Sequence, residues 1–173
     1  MSDAFYTLDE IRENFNGPEL VFADNPRGLF GFGIKLKTRG TYSHFCWRIG
    51  PDRIANQTLT FQDVPLDSFR GYHLKFVSNP DWTVLQKANL TNAILSDLSL
   101  PWYSTLYDVP GVVFRLFGLR WNLGKAFFCS ERGSYLALVD PEYALKSPTP
   151  TELNLWTKAR GDRYKVMARY SPD

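Results

Sequence analysis

The stretch of sequence that decides the fold covers residues 40–57 and reads GTYSHFCWRIGPDRIANQ. Two short runs of β-branched and aromatic residues flank the turn residues Gly50, Pro51 and Asp52, and this order predicts a β-hairpin. Successive side chains of a strand point to opposite faces of a sheet. The first strand therefore presents His44, Cys46 and Arg48 on one face and Phe45, Trp47 and Ile49 on the other.

The register of this hairpin decides which polar side chain faces His44. A hairpin centred on Gly50 predicts that His44 lies directly opposite Asn56, because both residues are equally far from residue 50. A register shifted by one residue presents Gln57 in place of Asn56. Both amide side chains are therefore candidates for a hydrogen bond to the His44 ring.

The segments on either side of the hairpin predict a mixed fold of helices and strands. Thr7 and Glu10 have the spacing of a helix capping box, and Cys129 falls in or near the first turn of another predicted helix. Helices are predicted at 7–15, from 79 onward for about four or five turns, at 125–140, and over TELNLWTKA after Pro150. Further strands are predicted at 19–24, 72–79 and 163–170.

Length, charge and composition limit the class of protein. The chain has 173 residues and a net charge of +2, and aromatic residues make up 16% of it. A single domain covering residues 1–173 is the expected organisation for this length. The small net charge argues against a dedicated nucleic-acid binder, and the aromatic content favours a fold that contains β-structure.

The two cysteines, Cys46 and Cys129, are too few for a disulfide framework and lack the spacing of a zinc site. No metal or other cofactor is therefore predicted. The N-terminal residues lack the features of a secretion signal, and no segment has the apolar length of a transmembrane helix. We expect a cytoplasmic protein, or one delivered to the cell envelope or a virion by a route that the sequence does not show.

Cys129, His44 and Asn56 are the residue types that cysteine catalysis needs. A thiolate attacks, an imidazole accepts and returns the proton, and a polar group orients the imidazole. A helix N-terminus lowers the pKa of a nearby thiol and supplies N–H groups for an oxyanion. The competing interpretation is structural, because a lone cysteine among aromatic residues is usually a small buried side chain, and a lone histidine on a strand is usually structural as well.

Four pieces of the sequence resemble the motifs of one enzyme family. GTYSHFCWRIGPDRIANQ resembles YSHxGIxxGxGxVxEA, and FFCSERGSYLAL resembles the nucleophile helix CSELVxxAL. ELVFAD and the following GLFGFGIKLKTRGTYSH are similar to a GDIVL strand and its loop, and LSDLSLPWYS is similar to LGxPYD. These motifs belong to the permuted NlpC-type cysteine hydrolases, the papain-like branch that includes the YiiX- and YaeF-like amidases. The resemblance covers residues 18–140.

The resemblance implies a circularly permuted papain-like fold of the α+β class. In such a fold an antiparallel sheet packs against the helix that bears the nucleophile. Carried over by position, the motifs assign Cys129 as the nucleophile, His44 as the general base and Asn56 as the third polar group. Gln57 remains the alternative for the third group.

The same motifs imply substrate-binding positions at Tyr42, Tyr103 and Ser130, and Tyr107 competes with Tyr103 for the match to PYD. Two positions depart from the family pattern, because Cys46 stands where the pattern has glycine and Gly133 stands where an apolar residue is usual. We interpret Cys46 as a small filler of the core. A regulatory disulfide between Cys46 and Cys129 is the alternative.

The function implied by the resemblance is hydrolysis of amide bonds through an acyl-enzyme on Cys129, with small peptides, including peptidoglycan-type peptides, as substrates. Two alternatives stay open: a lipid-directed thiol acyltransferase or esterase with the same site, or a non-catalytic binding or virion protein that retains the fold. Residues 112–121, VVFRLFGLRW, fit either a partly buried segment or a surface that faces acyl chains or a membrane. Peptidoglycan as a substrate would require a route out of the cytoplasm.

Overall fold

One six-stranded sheet organises the part of the chain that the structure describes. The structure is a computed structural model that describes residues 5–26, 39–105, 129–145 and 148–172, with the backbone alone for residues 129–131. The strands are β1 (Glu19–Asp24), β2 (His44–Gly50), β3 (Arg53–Gln57), β4 (Phe61–Val64), β5 (His73–Ser78) and β6 (Lys165–Tyr170). Their order is β4-β3-β2-β1-β5-β6, and every neighbouring pair is antiparallel. The mixed α+β class is confirmed.

The α-helices are α1 (Leu8–Glu13), α2 (Val84–Leu98) and α3 (Pro150–Ala159), and 3-10 helices span Leu66–Phe69, Trp102–Ser104 and Cys129–Leu138. We call the last of these the Cys129 helix. Each α-helix begins with a capping box, in which a threonine and the residue three positions later exchange hydrogen bonds with each other's backbone. The three boxes are Thr7 with Glu10, Thr83 with Gln86 and Thr149 with Glu152.

Each face of the sheet is covered by its own hydrophobic core. The larger core joins the sheet to α2, α3 and the Cys129 helix, and it includes Phe22, Phe45, Trp47, Leu90, Ile94, Leu136 and Leu153. The smaller core lies between the sheet, α1 and the 3-10 helix Leu66–Phe69, and it includes Leu8, Ile11, Cys46, Ile54, Leu66 and Phe69. The alternation predicted for β2 is confirmed, because Phe45 and Trp47 belong to the larger core and Cys46 to the smaller one.

The register of the β2–β3 hairpin differs from the predicted one by two residues. Trp47 pairs with Ala55, whereas the predicted hairpin pairs it with Arg53. The turn is formed by residues 51 and 52, because a proline fixes the backbone of the first turn position. Side chains alternate with a period of two, so the shift keeps Asn56 on the face of His44, as a diagonal neighbour instead of a direct one.

Helix α2 begins later than the pattern at residues 79–81 predicts, with Val84 as its first residue. The side chain of Asn79 accepts a hydrogen bond from the backbone N–H of Asp81 at 2.9 Å, which holds these residues in a turn. The capping box of Thr83 and Gln86 then begins the helix. Strand β4 and the 3-10 helix Leu66–Phe69 were not predicted, and the predicted segments 112–121 and 125–128 lie outside the described residues.

Candidate active site

A hydrogen bond joins His44 to Asn56. His44 is the first residue of β2 and Asn56 lies near the end of β3, and the Nε2 atom of His44 is 2.6 Å from the Oδ1 atom of Asn56. Asn56 is buried and His44 is half-buried. Of the two amides that the sequence left open, Asn56 is therefore the one that the structure brings to the His44 ring.

This contact determines which ring nitrogen can act as a base. An amide oxygen only accepts hydrogen bonds, so Nε2 of His44 carries the hydrogen that Oδ1 of Asn56 accepts. In a neutral imidazole the other nitrogen, Nδ1, then has the lone pair. A proton taken up by His44 therefore goes to Nδ1, while Asn56 holds the ring orientation.

The Cys129 helix packs against β2. The indole Nε1 of Trp47 donates a hydrogen bond of 2.8 Å to the backbone carbonyl oxygen of Arg132. Leu136, farther along the same helix, is fully buried in the larger core. Cys129 is the first residue of the described helix and precedes Arg132 by three residues, which is one turn of a 3-10 helix.

The direction of the Cys129 helix follows from its contacts with α2. Toward the end of the helix, the carbonyl oxygen of Val139 accepts a hydrogen bond of 3.3 Å from Nε2 of Gln86, at the beginning of α2. Toward its start, Arg132 pairs with Asp97, at the end of α2. The two helices are therefore antiparallel. Arg132 also contacts Gln57, the last residue of β3, so the Cys129 end of the helix lies toward the end of the sheet where β3 ends and β2 begins.

His44 and the Cys129 helix approach that end of the sheet from opposite faces. His44 pairs with Ala23 of β1, a member of the smaller core, whereas Leu136 lies in the larger core on the other face. Because His44 is the first residue of β2, its ring lies at the rim of the sheet. Any contact between His44 and Cys129 would therefore have to form at this rim.

Arg132 connects the Cys129 helix to three other elements through its side chain. Its Nε donates to Oε1 of Gln57 on β3 at 3.1 Å, and its Nη1 donates to Oδ2 of Asp97 on α2 at 2.5 Å. The same Nη1 donates to the hydroxyl of Tyr135 at 3.0 Å, and that hydroxyl donates to Asp97. The guanidinium carbon lies 4.2 Å from the centre of the Phe61 ring on β4. Only 4% of Arg132 is exposed.

The network continues to a pair of exposed aromatic rings. Nε2 of Gln57 donates a hydrogen bond of 2.8 Å to the carbonyl oxygen of Thr105. Thr105 follows the 3-10 helix that contains Trp102 and Tyr103, which are 67% and 63% exposed. Because Gln57 directly follows Asn56 in β3, the two rings belong to a segment attached beside the candidate site.

Arg132 was not among the site residues predicted from the sequence, although the motif contained a signal. It occupies the position of the leucine in the resembled CSEL motif, and a charge at a buried position needs a partner. Gly133, the other departure, has a packing reason. A Cβ atom there would lie 2.8 Å from a methyl carbon of Leu153, so the glycine lets the Cys129 helix approach α3 closely.

The sequence also singled out Tyr42, Cys46, Ser130 and Tyr107. Tyr42 is buried and packs against Phe22 in the larger core, with ring centres 5.8 Å apart, so it lies within the core. Cys46 is buried in the smaller core with its Sγ atom 3.8 Å from the carbonyl oxygen of Val21, as a small core filler would be. The Ser130 side chain and the whole of Tyr107 lie outside the part of the chain that is described.

Within residues 5–26, 39–105, 129–145 and 148–172, no helix has the length and apolar character needed to cross a membrane. A scan against models of known protein families finds no match to this chain, and no curated protein matches it significantly. The function is therefore inferred from the geometry of the site itself.

Proposed function

We propose that this protein is a cysteine hydrolase that cleaves amide bonds through an acyl-enzyme on Cys129. The observation that carries the proposal is the 2.6 Å hydrogen bond between His44 and Asn56, at the end of the sheet toward which the Cys129 helix points. The proposal brings this oriented imidazole together with the thiol of Cys129, the combination that nucleophilic catalysis by cysteine needs. The proposed substrates are peptide amides, including peptidoglycan-type peptides.

The proposed reaction has two halves. Nδ1 of His44 accepts the proton of the Cys129 thiol, and the thiolate forms a C–S bond to the substrate carbonyl carbon while backbone N–H groups of the helix start bind the oxyanion. The C–N bond then breaks as the imidazolium gives its proton to the leaving amine, which leaves a thioester. Water, deprotonated by the same imidazole, hydrolyses the thioester, releases the carboxylic acid and restores the thiol.

Asn56 orients the His44 ring without adding a charge. A carboxylate in its place would stabilise the imidazolium and raise the pKa of the histidine. With Nε2 held by the neutral amide, Nδ1 is the atom that accepts and returns the proton in the proposed reaction.

A lipid-directed esterase or thiol acyltransferase with the same residues is the second candidate. The observation that favours it is the exposure of Leu100, Trp102 and Tyr103, which are 46%, 67% and 63% exposed on the segment attached to β3. Exposed apolar and aromatic side chains next to a site are suited to contact acyl chains or a lipid surface. In an acyltransferase, an acceptor amine or hydroxyl would replace water in the second half-reaction.

Hydrolysis of model peptide amides and acyl esters tests the proposal. We expect Cys129→Ala to abolish turnover, because the thiol is lost, and His44→Ala to lower it by about 10²–10⁴-fold, because general base catalysis is lost. The matched control is Cys46→Ala, which removes the buried cysteine and keeps turnover in the folded protein. Turnover that survives both site changes would contradict the proposal.

The substrate panel separates the candidates. Amide turnover supports the amidase, whereas ester turnover together with binding to liposomes, in the absence of amide turnover, supports the lipid-directed enzyme. If neither substrate is cleaved and the Cys129 thiol reacts no faster than an ordinary exposed cysteine, the remaining function is that of a binding protein, and both enzymatic candidates are wrong.

A further inference from the structure

We propose that Arg132 is a positioning residue, which sets the distance between Cys129 and the His44–Asn56 pair through its hydrogen bond to Gln57. This inference rests on the proposed function and deepens it. In this role Arg132 does not need to contact a reacting atom. It acts through the backbones of the Cys129 helix and of β3.

The Arg132–Gln57 contact joins the two halves of the candidate site. Arg132 follows Cys129 by three residues in one helix, and Gln57 directly follows Asn56 in one strand. The hydrogen bond between them is 3.1 Å long and links side chains that are 75 positions apart in the chain. Each partner belongs to a regular element, so a fixed distance between them also constrains the neighbouring site residues.

The geometry of this contact requires an arginine. Nε of Arg132 donates to Gln57 while Nη1 donates to Asp97 and Tyr135, so one planar group holds β3 and α2 together. The same plane lies over the Phe61 ring. A lysine has a single ammonium group and no plane, so it cannot make the separate contacts at the same time.

Burial makes the arrangement rigid. The side chain of Arg132 is 5% exposed and that of Asp97 is 33% exposed, so their ion pair is shielded from water on the arginine side. A charge-assisted hydrogen bond in a poorly hydrated place is short and directional. A catalytic pair needs this kind of support, because a displacement of about 1 Å can lower the rate about a hundredfold.

The helix has a second attachment that does not use this side chain. The indole of Trp47 donates to the backbone carbonyl oxygen of Arg132, and Leu136 remains buried in the larger core. Neither contact uses the Arg132 side chain. A substitution at Arg132 is therefore expected to leave the helix on the sheet and to change the precision of its placement.

The experiment measures turnover and the pH dependence of Cys129 alkylation by iodoacetamide in the full-length chain, with the alkylated cysteine identified by mass spectrometry. Arg132→Lys is expected to lower kcat about tenfold to a hundredfold with little change in KM, and to shift the alkylation profile to higher pH. Gln57→Leu is expected to lower kcat and shift the profile to a similar extent, and to change KM as well, because it also loses the N–H that donates to Thr105. The matched control is Arg53→Lys, because Arg53 forms an exposed ion pair with Asp63 on the same sheet. This control is expected to change neither kcat nor the alkylation profile.

A third variant separates the two roles of Gln57. Gln57→Glu keeps an oxygen that accepts from Arg132 but loses the N–H that donates to Thr105. It is expected to retain kcat and the alkylation profile, and to change KM alone through the Trp102 and Tyr103 segment. A kcat as low as that of Gln57→Leu would mean that the Thr105 contact is the important one, which overturns the proposal.

Thermal unfolding of each variant keeps loss of fold apart from loss of position. If Arg132→Lys is folded and its kcat and alkylation profile equal those of the parent, the positioning role is wrong and the proposed function stands. If Arg132→Lys does not fold, the two Gln57 variants decide. If the parent itself has no turnover and its Cys129 alkylates like an ordinary thiol, the proposed function fails, and the positioning role fails with it.

Discussion

Arg48 and Arg132 are two buried arginines on opposite faces of the sheet, and they are held by different kinds of partner. Arg48 is 1% exposed and Arg132 is 4% exposed. Arg48 pairs with Glu19 at 2.9 Å, and its other donors go to backbone carbonyl oxygens, those of Ile11, Arg12, Gly50 and Pro51. The Arg132 guanidinium donates to side chains on three elements, those of Gln57, Asp97 and Tyr135.

The difference separates a structural arginine from one that supports a site. Carbonyl oxygens at the end of α1 have no hydrogen-bond donor within the helix, and Arg48 donates to that of Ile11. Arg48 also donates to the carbonyl oxygen of Pro51, so it joins the hairpin turn to α1. Arg48 is four residues from His44 along β2, a distance of about 13 Å. Arg132, in contrast, joins the helix of Cys129 to the strand of Asn56.

The largest expected effect is the loss of stability in Arg48→Ala. Removal of the guanidinium leaves Glu19 as a buried charge without its partner, which costs about 3–5 kcal/mol of the free energy of unfolding. Arg132→Ala is expected to cost about 2 kcal/mol, because Asp97 is partly hydrated and keeps Tyr135 as a donor. Urea unfolding measures both values.

Alkylation of Cys129 in the folded fraction of the same two variants sharpens the comparison. Arg48→Ala is expected to leave the alkylation rate unchanged, because Arg48 is remote from His44, while Arg132→Ala lowers it. The distinction between the two arginines breaks down if Arg48→Ala changes the rate as much as Arg132→Ala does.

Lys75 provides a third buried cation, with an intermediate expected effect. It is 2% exposed, and its Nζ donates to Oδ1 of Asn154 at 2.7 Å, without a carboxylate partner in the described part of the chain. Burial, together with the charges of Lys158 and Arg169, lowers the pKa of Lys75 to about 8. An arginine in a similar place stays charged, because its pKa starts far higher.

The pKa of Lys75 predicts a pH dependence of stability. In the unfolded chain a lysine titrates near 10.4, so between about pH 8 and pH 10 the unfolded state binds more protons and the free energy of unfolding rises with pH. Lys75→Met is expected to remove this rise. Lys87→Met is expected to keep it, because Lys87 of α2 is only half-buried and its Nζ donates to the carbonyl oxygen of Asn16. Urea unfolding at pH 7.5 and 9.5 measures the change in the free energy of unfolding for each protein. Equal changes in the parent and in Lys75→Met would contradict the lowered pKa of Lys75.

The smallest effect on stability is expected for the exposed rings. Trp102→Ala and Tyr103→Ala should each change the free energy of unfolding by less than about 0.5 kcal/mol, because surface side chains contribute little. If the segment contacts substrate, both should raise KM without lowering kcat. The matched control is Val84→Ala. Val84 is an apolar residue, 86% exposed, at the start of α2, whereas the two rings follow the end of α2. A KM that does not change for either ring would remove this segment from the substrate site.

The faces of the sheet could be predicted from the sequence more reliably than the register. The His44–Asn56 contact was expected from a hairpin register that is wrong by two residues, and it forms because a shift of two keeps the same face. The start of α2 was misplaced because two signals compete locally, and the Thr83–Gln86 box overrides the proline turn. The capping box of α1 is formed by two residues close in sequence, and it was predicted correctly.

The Arg132 network lay beyond prediction from the sequence because its partners are distant in the chain. Gln57 and Asp97 are 75 and 35 positions away from Arg132, and no local pattern relates them. The sequence does indicate that a charge stands in an apolar position of the motif. The packing of β3 and α2 around that position decides which side chains neutralise it.

In the proposed mechanism His44 activates Cys129, and the pH profile of Cys129 alkylation by iodoacetamide is the direct test of this activation. Parent, His44→Ala and Asn56→Ala proteins are compared between pH 5 and pH 9, with mass spectrometry to identify the alkylated cysteine. We expect the parent thiol to titrate below the ordinary value of about 8.5 and to react at pH 6 about tenfold faster than in His44→Ala, with Asn56→Ala in between. Superimposable profiles at the ordinary thiol pKa in all three proteins would contradict it.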